Sequence, residues 1–267
     1  MIKQAFVYLL AVAWLLTMPG CIVVDNPYTG MAPGTWRAIL QIEPNFITPN
    51  PKGKPLPEKM DMEYEDVTRG ELPFLFEVSY LNPDSFQIAV QLGKEKLIWQ
   101  DYALGRDFST AKDTITFRIP ETENYIRGIF EEKVFEGVWV FDKGNGMLDS
   151  LPLIARHGQG HLFSTLRKAP MTSASGTWSL QLDTEEAVEG SLKLTQAGND
   201  LLGVLTWEGR EYPTLSGTIQ ANKLYLSAFD GKDAVLIEAK ITSESTLIGT
   251  VRKGKSGRIL WQANKKI

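Results

Sequence analysis

Short runs that alternate apolar and polar residues, separated by clusters of glycine, asparagine and aspartate, leave this chain few folds to choose from. The alternation shows in "GTWRAILQI" (34–42), "LPFLFEVSY" (72–80), "SFQIAVQL" (85–92), "DTITFRI" (113–119) and "GVWVF" (137–141). It continues in "GTWSLQL" (176–182), "GSLKLTQ" (190–196) and "NKLYLSAF" (222–229). A period of two places alternate side chains on opposite faces of a strand. The intervening "LNPDS", "DKGNG", "QAGND", "FDGKD" and "RKGKSG" carry the residues that tight hairpins require. No run of ten or more residues keeps a helical period, so the expected class is all-β, with short strands in an up-and-down meander.

The chain also repeats itself. "PGTWRAILQ" (33–41) returns as "SGTWSLQL" (175–182), and "TITFRIPETENYIRGIF" (114–130) lines up with "LYLSAFDGKDAVLIEAK" (224–240). "FEGVWVFDKGNG" (135–146) matches "LIGTVRKGKSG" (247–257), and "LPLIARHG" (151–158) matches "RILWQANKK" (258–266). The second unit divides into about eight strands, enough to close a barrel that is filled by side chains or holds one small ligand. The expected architecture is therefore two tandem small antiparallel lipocalin-like barrels, 33–158 and 175–267, joined by a linker at 159–174. The first carries an insertion at 43–71 with five prolines, whose first part cannot be a central strand. It reads as a flap over the barrel mouth, a partner-docking arm or a solvated excursion.

The amino terminus has a different pattern. Lys3 precedes the uncharged stretch "AFVYLLAVAWLLTM", followed by Pro19, Gly20 and Cys21, the only cysteine. A basic start, a short apolar run and a small residue at the break describe a secretory signal, and the run is too short for a comfortable membrane span. The glycine–cysteine junction resembles the lipobox of bacterial lipoproteins. That resemblance makes 1–20 a signal peptide, Cys21 the site of lipid attachment and 21–32 a lipidated tether. Two or more acyl chains would hold the protein stably at a bilayer. Ile22 directly follows Cys21 and gives no inner-membrane retention signal of the aspartate type, so the expected location is the periplasmic side of an outer membrane. The competing reading is an ordinary signal peptide with a buried cysteine nearby. Once Cys21 is acylated, no thiol remains for a disulfide, a redox pair or a thiolate metal site.

Charge and motifs narrow the function classes. A net charge of −4 and a pI near 5.4 argue against nucleic acid as a partner. The two histidines, in "RHGQGH", are spaced by glycines that oppose a helical metal site. There is no H-E-x-x-H, G-x-S-x-G or phosphate-binding loop, so no catalytic residue, metal or cofactor is assigned. Six tryptophans remain after the signal. They either fill the barrels or line a cavity, in which case Trp36, Trp99 and Trp139 would form the wall and Arg37 or Arg156 would fix a polar group.

Several stretches taken together carry a family resemblance: "GTWRAILQIEPN", "TPNPKGKPLPEKM", "GELPFLFEV", "LPLIARHGQGHLF", "LYLSAFDGKDAVLIEAKI" and the closing "WQA". They resemble the region that precedes the catalytic domain in lipid-anchored thiol–disulfide oxidoreductases of the TlpA type. The resemblance spans about 33–264 and implies the fold and the anchoring. It does not imply the activity, because the Cys-x-x-Cys of the thioredoxin-like domain is absent. The expected function is thus a non-enzymatic, membrane-anchored binding or interaction module for a small apolar ligand or a partner protein. The alternative is an accessory part of a thiol–disulfide system whose thioredoxin-like domain is on a separate chain.

Overall fold

The computed structural model describes residues 28–42, 70–144, 146–165, 167–182 and 188–266. Cys21, the signal run and residues 43–69 of the insertion lie outside them. Among the described residues every element is a strand.

The first unit contains β1 (Gly34–Gln41), β2 (Glu71–Asn82), β3 (Ser85–Leu92), β4 (Glu95–Trp99) and β5 (Tyr102–Asp107), then β6 (Lys112–Arg118), β7 (Tyr125–Glu131), β8 (Val134–Asp142) and β9 (Leu148–His157). They form one antiparallel sheet in the order β4-β3-β2-β1-β9-β8-β7-β6-β5. The sheet curls, yet β4 and β5 follow each other in the chain without pairing. The expectation of a closed first barrel is corrected to a curled half-barrel.

The second unit contains β10 (Gly176–Leu182), β11 (Val188–Ala197), β12 (Asp200–Trp207), β13 (Arg210–Glu211) and β14 (Leu215–Gln220), then β15 (Lys223–Phe229), β16 (Ala234–Ser243), β17 (Thr246–Lys253) and β18 (Ile259–Lys265). Here β11 pairs with β12 and β18 with β10, so eight strands close, with β13 a short spur on β12. This unit is the closed antiparallel barrel that the strand count implied.

The repeat seen in the sequence has a structural counterpart. Trp36 donates its indole N–H to the Ala32 carbonyl at 2.9 Å, and Trp178 does the same to Ala174 at 2.9 Å. Between each tryptophan and its acceptor lies a glycine with a positive φ, 115° at Gly34 and 137° at Gly176, which a side chain would strain. Trp36 lies opposite His157 on β9, and Trp178 opposite Lys265 on β18. Gly137 and Gly249 hold equivalent places in β8 and β17. A Cβ on them would lie 2.3 Å from the Arg127 carbonyl and 2.5 Å from that of Glu238. Only glycine allows the sheet to coil so tightly there.

The units share a core. In β15 and β16, Leu224, Leu226, Ala228, Val235 and Ile237 fill the closed barrel, while Phe229, Ala234 and Leu236 join the cluster that contains Trp36, Phe74, Trp99 and Trp139. This explains the unbroken apolar run "AVLI" at 234–237, since a strand covered on both faces has no polar side to present. Ring centroids of Phe229 lie 4.4 Å from Phe74, 5.1 Å from Trp139 and 6.2 Å from Trp99. Two buried hydrogen bonds converge on the tip of the β15–β16 hairpin, from Trp139 Nε1 (3.1 Å) and Asn124 Nδ2 (2.9 Å) to the Gly231 carbonyl. A third joins Ser227 Oγ to the Pro73 carbonyl at 2.6 Å.

The described residues of the expected tether, 28–32, and of the expected linker also pack. Tyr80 receives the Gly30 N–H and donates to the Met31 carbonyl, and Met31 is buried. In the linker, Phe163 is buried with its ring 5.7 Å from that of Tyr225.

Candidate functional site

The half-barrel interior is packed with side chains. Trp36, Trp99 and Trp139 are all buried, and the space left among Met31, Phe76, Trp99 and Phe135 is about 20 Å³. That volume holds one water at most, not a ligand. Arg37 does not face this interior. It alternates with Trp36 along β1, so it lies on the opposite face, where its Nε donates to the Leu162 carbonyl at 2.9 Å beneath the linker. Arg156 pairs with Arg37 in register on β9 and is exposed. The five residues expected to form a cavity therefore divide between a filled core and an outer face. An apolar ligand inside the first unit has no room.

A smaller concavity of about 420 Å³ lies over Lys112, Ile129 and Glu136, and a larger one lies on the outer face of β5, β6 and β7, with a volume of about 660 Å³. That is within the roughly 300–1,000 Å³ usual for ligand sites. Its floor follows from the pleat. Ile115 and Phe117 of β6 point into the core, which turns Thr114, Thr116 and Arg118 outward. Thr116 lies opposite Arg127 and Arg118 opposite Tyr125 on β7. On the other side Ala103 faces Thr116 and Gly105 faces Thr114. A Cβ on Gly105 would sit 2.9 Å from Thr114 Oγ1, so the bare glycine keeps that hydroxyl open.

The rim is held from beneath. Asn124 donates to Gly231 and accepts the Asp142 N–H at 3.0 Å. Thr122 Oγ1 donates to the Ile119 carbonyl (3.0 Å) and accepts the Asn124 N–H (3.1 Å). The opposite wall is the β8–β9 connection, with Asp142, Gly146 and Leu148. Asp142 Oδ1 accepts the Gly144 N–H at 2.8 Å. Arg118 pairs with Asp101 at 2.9 Å. The Arg127 guanidinium, the Tyr125 hydroxyl and the hydroxyls of Thr114 and Thr116 make no hydrogen bond or ion pair among the described residues.

The sequence reading did not find this groove. Its trace was the outward set of "DTITFRI", two threonines and an arginine, but only the β6–β7 register sets Tyr125 and Arg127 beside them. Elsewhere, Trp207 and Tyr212 meet Lys253, whose Nζ lies 4.0 Å from the Trp207 ring centre and 3.0 Å from the Tyr212 hydroxyl. Trp207 and Tyr212 belong to the core cluster of the second unit. Among the described residues no three His, Cys, Asp or Glu side chains are grouped to hold a metal ion. His157 Nε2 is 2.9 Å from the Pro33 carbonyl, within the Gly34 turn.

No family model matches the chain, and neither does any curated protein. Among solved structures it is similar to a DUF3598-family protein of unknown function from Nostoc punctiforme, at 13% identity and a TM-score of 0.26, over 88% of this chain and 96% of that one.

Proposed function

We propose that this chain is a non-enzymatic binding module, carried on a lipid at Cys21 on the periplasmic side of the outer membrane, that takes a polar ligand in the β5–β7 groove. The observation that carries the reading is the groove's set of unengaged polar groups, Thr114, Thr116, Tyr125 and Arg127, held on a rigid sheet. Thr114, Thr116 and Tyr125 are half-buried and Arg127 is exposed, so a ligand meets these groups on a sheet face already formed, at little reorganisation cost. The filled interior leaves no room for a ligand beside the tryptophans, which supports a site on the outer face. The signal run and the glycine–cysteine junction support the anchor.

Hydrogen exchange of the full chain, with and without the soluble hydrolysate of a cell envelope, tests the site. Protection should concentrate in 102–127 and 142–148 and be absent from β10–β18. Unchanged exchange across those segments would remove the groove from consideration. For the anchor, detergent-phase partitioning should be lost on Cys21→Ser. Unchanged partitioning would count against lipidation.

A further inference from the structure

We infer that the groove's ligand is an uncharged oligosaccharide; this rests on the binding-module reading above. Charge is the first argument. Arg118 is already matched by Asp101, and the other charged groups of the lining are Arg127, Glu123 and Asp142, with Asp107 near enough to feel the Arg127 charge. One cation against two lining carboxylates gives an anionic ligand no net attraction, and among the described residues no three His, Cys, Asp or Glu side chains are grouped to hold a metal cation.

Shape and chemistry supply the second argument. Thr116 and Arg127 sit directly across two paired strands, on the order of 5 Å apart at Cα, with Thr114 two residues along the same face. A guanidinium presents a planar fork of donors, and each threonine hydroxyl both donates and accepts. Neighbouring hydroxyls on a sugar ring need that mixture, whereas an apolar ligand would leave every one of these groups unpaired. Tyr125 adds a flat, half-buried ring diagonal to Thr116, suited to the C–H face of a pyranose and carrying its own hydroxyl. Ala103 and Gly105 keep one side of the floor low, so a chain of sugars can lie across β5.

The test is calorimetric titration of the full chain with a panel of neutral gluco-, galacto- and manno-hexaoses, beside a polygalacturonate hexamer as the acidic control. A neutral hexaose should bind with little dependence on salt. Tyr125→Ala and Arg127→Ala should each weaken it at least tenfold. Tyr125→Phe, which keeps the ring, should stay within about threefold, and thermal melts should show all three variants folded. Tighter, salt-sensitive binding of the acidic hexamer would overturn the uncharged class while leaving the groove as a binding site. Full affinity in Tyr125→Ala and Arg127→Ala would place the sugar elsewhere. If no panel member binds, the oligosaccharide inference fails. If the envelope hydrolysate also leaves exchange at 102–127 unchanged, the binding-module reading fails with it.

Discussion

The two units follow one strand plan and differ at one place, the fourth strand. In the second unit that strand is interrupted at 212–214. Its first part, β13, pairs with the end of β12, and its second part, β14, pairs with both β12 and β15. In the first unit the interruption is at 100–101. There β4 pairs with β3 across Ile88–Leu92, but β5 pairs with β6 alone. One missing ladder, between the start of β3 and β5, separates a closed barrel from a half-barrel. The difference teaches what each unit needs from the other. The closed barrel has its own apolar filling, whereas the half-barrel's cluster includes Phe229, Ala234 and Leu236 from its neighbour.

The sharpest way to break this comparison is to separate the units. A fragment of 172–267 should fold alone, with a cooperative melt and a β-type circular dichroism spectrum, because closure leaves it no open edge. A fragment of 28–171 should not, because its aromatic cluster would face water where the β15–β16 hairpin had been. A cooperatively folded 28–171 would show that the half-barrel is self-sufficient. Within the intact chain, Phe229→Ala should cost about 3–5 kcal/mol by denaturant unfolding, the usual range for a buried phenylalanine in a core that cannot collapse. The loss should register in probes of the first unit. Next comes Asn124→Ala, which removes the donor to Gly231 and strands the Asp142 N–H. We expect about 1–3 kcal/mol, as for a buried group left without its partner. Denaturant midpoints unchanged from the parent would mean that the hairpin tip is held by Trp139 alone.

How much of this was legible beforehand follows from where polarity alternates. Most of the second barrel's strands were readable one by one because, unlike β15 and β16, they have a solvent face, and its closure followed from their number. "TITFRIPETENYIRGIF" and "LYLSAFDGKDAVLIEAK" were matched to the right elements, β6–β7 and β15–β16, but one residue out of register, since the outward Thr114 falls on the inward Leu224. The unbroken "AVLI" reflects the double burial of the second hairpin, which alternation alone did not reveal. The break in the fourth strand was not legible. "EKLIWQDYALGRD" contains no proline or glycine at 100–101 to mark it, and which neighbour a strand chooses is a long-range matter. The groove was hidden for a related reason. Thr116 and Arg127 are eleven residues apart and meet only through hairpin register. The tryptophans drew attention because they are large, and that size is what fills the core.

The open ladder is bridged by side chains, and this offers a finer test. Tyr102 receives the Phe86 N–H at 3.3 Å and approaches the Asp84 carbonyl at 3.4 Å, while Gln100 Nε2 donates to Gln87 Oε1 at 2.7 Å. Tyr102→Phe keeps the ring contacts with Phe86 and Phe117 and deletes only the hydroxyl. The expected cost is about 1 kcal/mol or less, given the length of these bonds. Amide exchange should quicken at Phe86 but not at the matching start of β12, where β14 supplies a backbone ladder. Equal exchange at both places would mean that the seam is closed by something other than Tyr102.

The smallest expected effect is ionic and lies at the surface between the units. Asp149 on β9 accepts hydrogen bonds from Lys143 of its own unit at 2.5 Å, from Lys255 of the second unit, and from the Ser150 N–H at 2.8 Å. Lys143 first, then Lys255 and the backbone donor, hold its carboxyl well below the usual aspartate value. In the unfolded chain the same group takes up its proton near pH 3.9, roughly the reference value. Its contribution is therefore complete above about pH 4 and is lost as the pH falls through the lower, folded value. Asp233 works in the opposite sense. Burial raises its pKa although Arg210 beside it pulls the other way, so folding gains as the pH falls through that raised value. Both lysines on Asp149 are about half exposed, so salt should screen the effect and its size should be modest. Melting curves of Asp149→Asn should then converge on those of the parent as the pH drops below about 4, and separate from them above it. Asp233→Asn should also approach the parent in acid but from the opposite side, because the parent carries the cost of the buried charge only at higher pH. A constant offset for Asp149→Asn at every pH, unaffected by salt, would show that the carboxylate's charge takes no part in joining the half-barrel to the closed one.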